Sequence, residues 1–150
     1  METLTTAKKY IEWISAEDMH LDSKRWLSEL HFLKDEHLFF EQLISSLSVE
    51  LMVLGEFSND KELIDAISRS CRNTEHLIQL VQLHERELTI MVDGINQLKE
   101  EKEYRENHRK LWMEIDDFLA EYRMLKTQLF NIIKTLKKEE KLRILIENNH

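Results

Sequence analysis

The sequence has no proline, two glycines and one cysteine. Without proline nothing removes a backbone donor or forces a kink, and Gly55 and Gly94 are its only conformationally permissive residues. Long, uninterrupted helices are therefore expected. No stretch shows the alternation and β-branched enrichment of a strand, so a sheet is excluded. The lone cysteine, Cys71, cannot close an intramolecular disulfide, which rules out a disulfide scaffold and fits a reducing compartment. No apolar run reaches transmembrane length, and residues 1–9 lack an apolar signal core, so a cytoplasmic protein with no membrane partner is expected. Compact basic clusters are missing outside the last turns and the net charge is −8, which argues against nucleic acid as a partner. Two isolated glycines make no phosphate-binding loop, and no Ser/His/Asp or Cys/His motif is present.

What the chain does have is three long apolar seams. The first is Trp26, Leu30, Leu33, His37, Phe40, Ile44 and Leu47. The second is Leu63, Ile67, Ser70, Thr74, Leu77, Val81, His84, Leu88 and Met91. The third is Tyr104, His108, Leu111, Ile115, Phe118, Tyr122, Leu125 and Leu129. Each mixes steps of four and three, the signature of a helix with one buried stripe. Charged residues make up 33% of the chain and suit the solvated faces of such helices.

The expected fold is all-α: an antiparallel bundle of three long helices plus a short N-terminal helix near 4–14, four-helix-bundle-like. It forms one domain over residues 1–150, with 1–22 as a lead-in and 137–150 as a partly frayed tail. Ser15 followed by Asp18 reads as a helix start, with Asp22 or Ser23 as a second possible start, so the first long helix begins between 16 and 24; Gly55 reads as its terminator after about Leu54. Asn59 with Glu62 reads as the cap of a second helix starting near Asp60. The next turn falls either at Gly94 or near residues 99–103, after which a third helix runs to about Leu136.

Each seam carries one histidine: His37, His84 and His108. The plainer expectation makes them core residues, each bonded to a Ser, Thr, carboxylate or water. The chemical alternative is a metal site, since bundles build such sites from inward side chains on facing helices. Three imidazoles with Glu41, one turn from His37, would suit a divalent transition metal. With a first turn near residue 57, His37 and His84 come out roughly 9 Å apart along the axis; a second turn at Gly94 puts His108 between them, and one near residue 100 puts it roughly 12 Å or more further off. Hemerythrin-like bundles add a His-x-x-x-His to the His-x-x-x-Glu that His37 and Glu41 form, and ferritin-like bundles need two Glu-x-x-His pairs. This chain has no His-x-x-x-His, and its two Glu-x-x-His pairs, Glu17 with His20 and Glu147 with His150, both lie off the long seams.

Leu27, Phe32, Leu38, Phe39 and Leu43 widen the stripe of the first long helix beyond its seam. So wide a face calls for more than two neighbours, supplied either by the N-terminal segment or by a second copy of the chain. The function expected is non-enzymatic protein–protein association, as a homodimer, adaptor or regulator, and no organic cofactor is called for. The alternative is an iron, zinc or manganese bundle with a redox or oxygen-related role, using His37, Glu41, His84 and His108.

Overall fold

The computed structural model describes residues 14–47, 57–94 and 98–148, and they form three α-helices with no strand among them. We label them α1 (Ala16–Ser46), α2 (Phe57–Asp93) and α3 (Leu98–Asn148). The all-α class expected from the seams is what the chain adopts. The short helix near 4–14 and the Gly55 terminator lie outside the described residues.

Local chemistry sets the helix ends. The Ser15 hydroxyl accepts from the Asp18 backbone N–H at 3.1 Å, and Glu17 and Asp18 place negative charge in the first turn of α1. At the other end the Leu47 N–H is shared between the carbonyls of Leu43 and Ile44, both at 3.1 Å, and the Ser46 hydroxyl donates to Leu43 O at 2.8 Å. The bond to Leu43 O is the last ordinary helical one, while the bond to Ile44 O is a tightened closure on a carbonyl that the next residue of a continuing helix would have used. The helix thus ends at Ser46, short of the expected Leu54. Because α2 starts at Phe57, Ser58, Asn59 and Asp60 sit in its first turn instead of ahead of it. The second turn is at Gly94, whose N–H bonds Met91 O at 3.2 Å in a tightened i to i+3 closure. α3 passes Leu136 unbroken, since the charged run from Lys137 to Lys141 contains nothing that stops a helix.

The chain divides into two compact units: Met1–Leu33 with Thr74–Phe118, and Lys34–Asn73 with Leu119–His150. Within the first unit α1 and α3 run the same way, Ile14 meeting Arg105 and Asp22 meeting His108. There α2 runs against both, His20 meeting Glu85 and His84 meeting His108. Ile14, Met19, Leu88 and Tyr104 form one buried cluster of this unit, flanked by Met91 and Trp112. In the second unit Phe40 meets Phe130 edge-on at 5.5 Å, and Leu47 packs with Leu136 among Ile44, Ile64, Ile132 and Ile133. The seam predicted for each helix is its buried face: Trp26, Leu30 and Phe40 on α1, Ile67, Leu77 and Val81 on α2, and Leu111, Ile115 and Leu129 on α3 are all buried.

Candidate functional site

All three seam histidines are buried, His37 and His108 completely and His84 at 4% exposure. A buried imidazole requires partners for its ring nitrogens, and the two units supply them differently.

In the first unit His108 lies between Asp22 and His84. Its Nε2 is 3.0 Å from Asp22 Oδ2, and its Nδ1 is 2.8 Å from His84 Nε2. A carboxylate only accepts, so His108 Nε2 carries the hydrogen. The Nδ1 of the neutral ring is then bare and accepts from His84 Nε2–H. One consistent arrangement results: His84 donates to His108, and His108 donates to Asp22, leaving the proton-free nitrogen of the array at His84 Nδ1. Aromatic faces enclose it. Tyr104 stacks on His84 with centroids 4.1 Å apart and planes 5° apart, and its hydroxyl donates to His84 O at 3.0 Å. Trp26 lies 4.7 Å from His108. Arg25 approaches the other Asp22 oxygen at 3.6 Å, and His20 Nδ1 pairs with Glu85 Oε2 at 2.5 Å.

Burial in this apolar setting pushes His84 down to about 4, helped by the charge His108 would carry. Burial also lowers His108, although Asp22 and Glu85 pull it the other way. The Tyr104 phenol is pushed up by burial and by Glu85 and Glu87, so it stays a neutral donor.

The second unit holds a separate cluster. His37 Nε2 is 2.8 Å from the Ser70 hydroxyl, and its ring lies 4.9 Å from Tyr122. The Tyr122 hydroxyl donates to Glu36, which also receives the Lys126 ammonium at 2.8 Å. Burial pushes the Glu36 carboxyl up, but the hydrogen bonds from Lys126 and Tyr122 outweigh it and hold it below the usual range. Burial and the Glu36 carboxylate push the Tyr122 phenol up.

The structure therefore brings His84 and His108 together, as the Gly94 turn requires, and gives His37 the seam serine Ser70. Glu41 is exposed on α1. Among the described residues no three His, Cys, Asp or Glu side chains gather where a metal ion could be held. Two imidazole nitrogens on a tetrahedral ion stand roughly 3.3 Å apart at metal–nitrogen bonds of ~2.0–2.1 Å. The 2.8 Å between His84 and His108 is the spacing of a shared hydrogen. Sequence reasoning missed Asp22 as the third member of the array. The signal was an acid one turn ahead of Trp26 on the flank of a buried stripe. The same flank holds Ser23, whose fully buried hydroxyl has no protein partner.

No protein family, curated protein or solved structure matches this chain. None of its described helices is long and apolar enough to cross a membrane.

Proposed function

We propose that this protein acts without catalysis, through association with a second copy of itself, using the outer face of α1. The observation that carries the reading is the exposure of large side chains there: Phe32 is 64% exposed, Phe39 57% and Leu21 55%. Residues 21, 32 and 39 are spaced by eleven and seven, which places all three side chains on one helical stripe. Scattered apolar residues need no explanation, but an aromatic stripe of this kind is typical of contact surfaces.

The choice of a second copy rests on charge. Glu29 and Asp35 flank the phenylalanines on α1, and Arg25 lies on the stripe itself, seven residues before Phe32. The last turns of α3 offer the opposite character, with Lys134, Lys137, Lys138 and Lys141 beside the exposed Leu142, Leu145 and Ile146. One chain thus carries both an aromatic face flanked by acids and a basic-aliphatic helical face, so the flanks of one copy can meet the lysines of the other reciprocally.

Sedimentation across a concentration series tests the proposal. The wild type is expected to dimerise, and Phe32→Glu with Phe39→Glu to weaken the dimer at least ~100-fold, or about 2.7 kcal/mol. A chain that remains monomeric at millimolar concentration would remove the proposal.

A further inference from the structure

We propose that Asp22, His108 and His84 form an acid-sensing latch in the first unit, which takes up one proton with its hydrogen bonds intact and is forced open by a second. The direction of the hydrogen bonds leads to this. In the neutral array the free lone pair is at His84 Nδ1. A first proton added there leaves both existing bonds in place, because His84 Nε2 still donates to His108 and His108 Nε2 still donates to Asp22. The bridging hydrogen can then shift to His108 Nδ1, carrying the positive charge to the ring that faces the Asp22 carboxylate. Tyr104 and Trp26 present π faces that favour such a cation.

A second proton has no such place. With both rings charged, His84 Nε2 and His108 Nδ1 each carry a hydrogen and confront one another across 2.8 Å, donor against donor and cation against cation. Since both rings are buried, the repulsion is poorly screened. It is relieved by separating α2 from α3 at this level and admitting water. The two rings therefore titrate as a pair.

Every element packed here contributes charge. From α1 come Asp22, Arg25 at its second oxygen, and His20. From α2 come His84, Glu85 and Glu87, and from α3 Tyr104, Arg105 and His108. Asp22 and Glu85 favour the first proton on His108, and the second is opposed by the first.

The direction of the stability change follows. Both histidines titrate lower in the folded chain than the ordinary value of 6.5. Above 6.5 they are neutral folded or unfolded and add no pH dependence. Below it the unfolded chain binds protons that the folded chain refuses, so stability falls as pH drops towards about 4.

The test uses the full chain with nitrogen-labelled histidine. At neutral pH both rings are expected to be bare at Nδ1 and protonated at Nε2. On acidification one proton should enter the pair while Trp26 and Tyr104 keep their folded signals, and those signals should be lost with the second. The opposite tautomer on either ring, or two charged rings in a folded unit, would overturn the proposal. A second measurement uses His84→Gln, whose amide still donates to His108 but cannot be charged. Its acid-unfolding midpoint should fall by about half a pH unit or more, while His37→Gln in the second unit leaves this first-unit transition in place. An unchanged midpoint in a folded His84→Gln protein would also overturn it.

Discussion

At the scale of single residues, each unit solves the problem of a buried histidine with different partners. His37 uses the hydroxyl of Ser70, while His108 uses a carboxylate and a second imidazole. Tyr122 serves the second unit much as Tyr104 serves the first: it lies against the histidine and donates its hydroxyl to a neighbour, here Glu36. Tyr122→Phe removes that donor and leaves Glu36 to Lys126 alone. We expect a loss of about 1.5–3 kcal/mol, the range for a hydrogen bond to a charged group, read from chemical denaturation. The Glu36 carboxyl should titrate higher in that variant, because a bond favouring its charged form is gone. In the wild type its low value means a stabilising effect present above the ordinary carboxylate range and lost as pH falls through the folded value. The variant should show a weaker acid dependence from this group, and a Glu36 resonance that titrates at the wild-type position would contradict the assignment.

At the scale of elements, the start of α1 and the buried faces were legible in the sequence; the end of α1, the start of α2 and the C-terminal extent of α3 were not. Ser15 was readable because a cap needs only a side-chain oxygen at the right spacing. Replacing it by alanine should cost about 1 kcal/mol in a thermal or denaturant melt, and Ser15→Asp should restore most of it. An alanine variant of wild-type stability would mean the helix begins elsewhere. Each seam was readable because a three-four alternation is a geometric property of the helix itself. The end of α1 was not, since it is set by Leu47 sharing its N–H between two carbonyls, a choice that no residue type announces. That boundary had a consequence for the site. A first turn near residue 57 would put His37 roughly 9 Å from His84 along the axis. The bond to Ser70 instead sets His37 level with that serine, and His37 belongs to the second unit. Asp22 was hidden for a related reason: its partner lies 86 residues away, and one-dimensional periodicity cannot register such a contact. Only the Gly94 turn, one of two weighed, gave a correct neighbour, His108 beside His84.

At the scale of the whole chain, the separations within the polar clusters set a schedule for folding. In the first unit His84 and His108 are 24 residues apart, and in the second His37 and Ser70 are 33 apart. The bonds that join α1 to α3 in each unit, Asp22 to His108 and Glu36 to Tyr122, each span 86 residues. Closing the short loops costs less chain entropy, so the α2–α3 contact of the first unit and the α1–α2 contact of the second should form early. The α1–α3 bonds should come after them. Truncations at Val81 and Leu111 are therefore expected to give φ-values above about 0.5, and Asp22→Asn and Tyr122→Phe values below about 0.3. The reverse ranking would refute this order. If it holds, His108 spends part of every folding event bonded to His84 but not yet to Asp22. The carboxylate arrives last at a pair of rings already oriented to receive it, and its departure would be the first step by which the molecule comes apart.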